Sequence, residues 1–131
     1  MGRLQSMIQL ILHLIGDYVT QSNWMAQRKT VSTWAAFCHA TVYALPFALI
    51  ASLNAWLVIW LSHLLIDRFR LARFVVYAKN QVSPKAFRHP WSECSATGYH
   101  KDSPQWLAVW LMIAADNTMH LAINAAAIAW L

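Results

Sequence analysis

Charged and apolar positions along this chain fall in long blocks. Between residues 30 and 66 there is no Lys, Arg, Asp or Glu. One crossing of a bilayer takes about 20 apolar residues, so this run is too long for one and holds two, bent near Ser52, Leu53 and Asn54. The helices it predicts cover 33–51 and 54–76. Pro46 falls inside the first and is expected to kink it rather than end it, because neighbouring helices can satisfy the freed carbonyl. A further apolar block covers 104–131, with Pro104 suited to a first-turn position. The block over 4–20 is weaker, being interrupted by His13, Gly16 and Asp17. A His and an Asp close that block without a small-x-small cleavage site, so a retained helix is expected there rather than a secretory leader. Residues 79–103, which carry His89, Glu93, His100 and Asp102, read as a solvated connection more simply than as a lid. The pattern predicts an all-α fold, a four-transmembrane-helix bundle forming a single membrane domain over 1–131.

Composition supports a membrane setting. Of 131 residues, 59% are hydrophobic and 11% charged, against roughly 25% charged in soluble domains. A small soluble fold cannot cover so much apolar surface, and the chain is too apolar for disorder. The net charge of +5 raises the question of nucleic acid. The basic residues flank apolar blocks instead of forming a binding stripe, so topology explains them and no nucleic-acid partner is expected. Arg28, Lys29, Arg68, Arg70, Arg73, Lys79, Lys85, Arg88 and Lys101 fall on one side of the expected bundle and Arg3 on the other. By the positive-inside rule the loops are then cytoplasmic and both termini lie outside. Two cysteines, Cys38 and Cys94, make neither a disulfide framework nor a thiolate zinc site.

The candidate chemistry lies in polar residues that an apolar helix should not carry. Three of the five acidic residues, Asp17, Asp67 and Asp116, fall in or beside the expected spans, each with a histidine four positions away: His13, His63 and His120. Residues four apart share a helix face. Ionisable groups in a span are costly unless they face protein or water, and so mark a working site. His39 adds a fourth imidazole, and all seven residues fall at compatible depth near the cytoplasmic side. Mixed nitrogen and oxygen donors suit zinc, manganese or iron, in a one-ion or two-ion centre. An ion with an open position would drive hydrolysis, with Asp17, Asp67 or Asp116 as ligand or base. Arg70 and Arg73, a turn past Asp67, are candidates for holding a substrate phosphate, although snorkelling and topology explain them more simply. Gln9, Gln21, Tyr43, Asn117 and Asn124 extend the same faces, either as groups orienting the ligands or as interhelical hydrogen bonds.

The expected function is metal-dependent hydrolysis of a phosphoester or lipid-linked substrate at the cytoplasmic leaflet. Two other readings stay open: a non-enzymatic membrane interaction protein, such as a phage product that modifies the envelope, and a proton or ion pathway. The lipid bilayer is the expected partner, and a carrier of this size would need a homo-oligomer.

The stretch His13-Leu-Ile-Gly-Asp17-Tyr18-Val-Thr-Gln21-Ser-Asn-Trp24-Met25-Ala26-Gln-Arg-Lys29 resembles the opening signature of a domain-of-unknown-function family, number three-three-zero-seven. His39 with Tyr43, His63 with Asp67, and Asp116 with His120 resemble its later pieces, in the same order. Asn117 and Arg70 stand where the family pattern leads one to expect glutamine and lysine. The resemblance implies a small bacterial or phage membrane protein, hence a bacterial inner membrane, and assigns no activity. The His/Asp layout is similar to that of proteins labelled membrane-bound metal-dependent hydrolases, a likeness of layout alone.

Overall fold

A computed structural model describes residues 2–131; Met1 and the side chain of Arg3, which the topology reading places on the outer side, lie outside the described residues. Seven α-helices form among the described residues: α1 (Arg3–Leu14), α2 (Asn23–Arg28), α3 (Thr33–Ala44), α4 (Leu53–Phe69), α5 (Ala72–Asn80), α6 (Trp91–Cys94) and α7 (Gln105–Trp130). A π-helical turn, Ile15–Val19, follows α1, and 3-10 turns cover Leu45–Leu49 and Lys85–Phe87. The chain divides into two compact units, one made of the residues up to Phe69 with His120–Leu131, the other of Arg70–Met119.

The all-α expectation holds, but the four-span bundle does not. Among the described residues, only α7 is long and apolar enough to cross a membrane. Each of the other expected spans is cut short for a local reason. α1 passes into the π turn at Ile15, where the Thr20 N–H donates to the carbonyl five residues back at 2.9 Å. α3 ends at Ala44, and Pro46 sits in the first turn of the 3-10 segment that follows. Leu45 keeps α geometry, but the ring at 46 removes the N–H that would bond the Val42 carbonyl and crowds that carbonyl, so the chain tightens into a 3-10 turn and the α-helix ends there instead of kinking. α4 is 17 residues long, about 26 Å at 1.5 Å per residue and short of a hydrocarbon core of about 30 Å. It stops where Arg70 takes a φ of 53°, the left-handed conformation that closes many helices.

In the first unit, Ser22 and Ser32 cap α2 and α3, accepting from the N–H groups of Met25 and Ala35 at 3.3 Å. Ser52 does the same for α4, accepting from Ala55 N–H at 3.1 Å. Ala35, Ala36, Ala40 and Ala44 of α3 are fully buried, and such small residues let two helix backbones approach closely. Trp56 and Trp60 of α4 then reach α3 with their indole N–H groups, donating to the Ala44 carbonyl at 2.8 Å and Thr41 Oγ1 at 3.1 Å. Tyr43, Ala44, Phe47, Ala55, Ile59 and Ala127 make the apolar core. Gly16 lies flat against α3: a Cβ there would fall 2.5 Å from the Tyr43 ring and 3.2 Å from its Cα.

In the second unit, residues 81–103 fold onto α5 and are not the open connection expected. Arg70 and Arg73 donate to the carbonyls of Ala96 and Ser95 at 2.6 and 2.9 Å. Trp91 stacks on Phe74 with ring centroids 4.8 Å apart. Gly98, at φ 84°, fits under α5 because a Cβ would meet the Arg73 carbonyl at 2.4 Å.

Candidate metal centre

Four side chains of the first unit converge on one buried point. Asp17 comes from the π turn, His39 from α3, and His63 and Asp67 from α4. His39 Nε2 lies 3.2 Å from Asp17 Oδ1 and 3.1 Å from Asp67 Oδ2. His63 Nε2 lies 3.3 and 3.2 Å from the same two oxygens. The two Nε2 atoms are 3.0 Å apart. Both imidazoles are sealed from solvent, and the aspartates are 5–6% exposed.

Local structure explains the convergence. His63 and Asp67 are one turn apart on α4, so both face α3. The extra residue in the π turn widens the helix and re-aims Asp17 toward the same point. The close approach at Gly16 brings that turn against Tyr43, one turn along α3 from His39.

Around this core a second layer holds the ligand atoms in place. Each aspartate turns one oxygen inward and the other toward an outer histidine: Asp17 Oδ2 is 3.6 Å from His13 Nε2, and Asp67 Oδ1 is 3.4 Å from His120 Nε2. Asn124 Nδ2–H donates to the Tyr43 hydroxyl at 2.7 Å, and that hydroxyl lies 2.9 Å from His13 Nδ1. The Asp17 carboxylate, an acceptor only, faces Nε2 and favours the His13 proton there, and the Tyr43 hydroxyl then donates to Nδ1. The Tyr43 ring stacks on His63 with centroids 3.6 Å apart and planes 15° from parallel. Gln9 is buried nearby and donates through Nε2 to the Leu121 carbonyl at 3.1 Å.

The geometry fits a cation. A tetrahedral ion with bonds of about 2.0–2.1 Å holds neighbouring ligand atoms about 3.3–3.4 Å apart. Five of the six separations among the four donor atoms are 3.0–3.3 Å. Protons alone serve the arrangement poorly: if both Nε2 atoms carry N–H, two donors face each other at 3.0 Å, and if only one does, the other turns its lone pair toward two carboxylate oxygens 3.1–3.3 Å away. The buried His/Asp cluster can therefore hold a metal ion.

Not every residue expected at the site is in this core. His13 and His120 stand outside the four donors. Asp116 belongs to the second unit, as do Arg70 and Arg73, whose guanidinium groups are engaged by backbone carbonyls. One member went unrecognised in the sequence: Lys29 Nζ lies 2.8 Å from Asp67 Oδ2 and 3.2 Å from His39 Nε2. Its side chain is 19% exposed, against 0–7% for its neighbours in the core. As half of a basic pair at a helix end it carries the signature of a topology signal, and its one other mark is that it closes the His13–Lys29 stretch of the family signature.

No curated protein and no solved structure matches the chain. The family described as a protein of unknown function (DUF3307) matches residues 6–130, nearly the whole length. The chain belongs to that family.

Proposed function

We propose that this is a membrane-associated metal-binding protein in which Asp17, His39, His63 and Asp67 hold one divalent transition metal, with His13, His120, Tyr43 and Asn124 fixing the ligands. The observation that carries this is the near-tetrahedral spacing of two nitrogens and two oxygens in a sealed site. Two imidazoles with two carboxylates suit zinc, manganese or iron.

The chemistry proposed for the centre is hydrolysis of a phosphoester or lipid-linked substrate. When bound, the ion supplies Lewis acidity. Four protein donors close a tetrahedron, so hydrolysis needs room for a fifth position. Lys29 stands where that room would open, beside His39 and Asp67 on the most exposed side of the cluster. Moving its ammonium group aside uncovers the centre and leaves a positive charge at the mouth to receive a phosphate.

Two features support the membrane setting. Only 11% of the apolar window of α7 is buried within the protein, whereas a core helix of a soluble fold would be mostly covered. Leu4, Trp34, Leu49 and Leu53 are also 65–85% exposed, an apolar surface that water disfavours.

The test is metal analysis of the full chain purified in mild detergent. About one tightly held equivalent of zinc, manganese or iron is expected, lost in His63→Ala and in the nearly isosteric Asp67→Asn, together with any metal-dependent phosphoesterase activity. A folded wild-type protein that takes up no transition metal after reconstitution contradicts the reading.

A further inference from the structure

Within the second unit, three more potential ligands meet. His89 follows the 3-10 turn Lys85–Phe87, Glu93 lies in α6, and His100 follows the left-handed Gly98. One donor atom from each lies within 4.8 Å of the others. His100 Nε2 is 3.3 Å from Glu93 Oε2, the spacing of two ligands on one tetrahedral ion. The His89 and His100 rings are in contact, with centroids 4.0 Å apart.

The backbone holds these groups in place. Gln81 Nε2–H donates to the His89 carbonyl at 3.2 Å, and the Lys101 N–H donates to the Glu93 carbonyl at 2.9 Å. Lys101 Nζ takes the other carboxylate oxygen, Oε1, at 3.4 Å, which leaves Oε2 for the His100 side. At the far side of His100, Nδ1 meets the Asp102 backbone N–H at 3.3 Å and the Asp102 carboxylate at 3.6 Å. With Nδ1 accepting from that N–H, the ring proton lies on Nε2 toward Glu93; loading Nε2 displaces it to Nδ1, where the Asp102 carboxylate has to replace the N–H as partner.

We infer that His89, Glu93 and His100 form a second, exchangeable site for a divalent transition metal such as zinc. Three protein donors leave a coordination position open. A cavity of about 280 Å³, lined by both imidazoles with Asn80, Ser83, Tyr99 and Ser103, adjoins them and gives an external ligand room to enter. All three donors are half-buried, unlike the sealed centre of the first unit, so this ion exchanges while the other is retained. The site shares no residue with that centre.

The test is titration of the full, chelator-stripped chain with Zn²⁺, followed by calorimetry and by the histidine ring signals in NMR. The wild type is expected to take up one more equivalent than Glu93→Gln, His89→Ala or His100→Ala, with binding at this step weakened by roughly a hundredfold or more in each. In the Asp17→Asn/Asp67→Asn background, remaining Zn²⁺ uptake should shift the His89 and His100 signals and vanish on adding Glu93→Gln. Glu93→Gln keeps shape and size, so it stays readable if an alanine variant fails to fold. Equal stoichiometry and affinity in wild type and Glu93→Gln, or Zn²⁺ that leaves the His89 and His100 signals unmoved, overturns the inference.

Discussion

In the proposed centre, Lys29 would compete with a metal ion for one place. Its ammonium group lies within 3.2 Å of an aspartate oxygen and an imidazole nitrogen that also face the metal position, and like charges at such range repel by kilocalories even at an effective dielectric near 20. Lys29→Met should therefore tighten Zn²⁺ binding at the buried centre by roughly tenfold, read by competition with a chromophoric chelator. Unchanged or weaker binding would show that Lys29 supports the site instead of opposing a second charge. Most of the cluster was legible from residue type and spacing, because a histidine and an aspartate four apart have few reasons to sit in an apolar helix. The division into an inner four and an outer pair was not legible. Which oxygen of Asp17 faces His39 and which faces His13 depends on the π turn and on the Tyr43 hydroxyl, and spacing reports neither.

At the level of elements, the site depends on the contact between the π turn and α3. Gly16→Ala would place a methyl group 2.5 Å from the Tyr43 ring and 3.2 Å from its Cα, so the turn must move away. Overpacking of this kind costs about 1–3 kcal/mol, measurable by denaturant unfolding. Because Asp17 is the next residue, the variant should also hold metal more weakly. Wild-type stability with intact metal uptake would mean the contact does not position Asp17. The helix interruptions account for the gap between expected and observed spans. Hydropathy shows that residues 33–51 and 54–76 are apolar, but not that Pro46 begins a 3-10 turn or that Arg70 adopts a left-handed φ with no glycine to announce it. The fold of residues 81–103 onto α5 was hidden for a similar reason: it rests on Gly98 and on side chains bonding distant carbonyls, which leave no periodic trace.

For the whole molecule, apolar composition translated correctly into helices and an apolar exterior, but not into a count of crossings. The 26 residues of α7 rise about 39 Å, enough for a hydrocarbon core of about 30 Å with some tilt. The chain should therefore stay with the membrane fraction after alkaline carbonate washing and need detergent for release; release by the wash alone contradicts a lipid-embedded α7. The central claim is that two imidazoles and two carboxylates close on a single ion. It is tested most directly by X-ray absorption at the zinc edge of the loaded Glu93→Gln protein, in which the buried centre reports alone. Four nitrogen or oxygen neighbours at about 2.0–2.1 Å, with outer scattering from two imidazole rings, are predicted; six oxygen neighbours without imidazole scattering would contradict it.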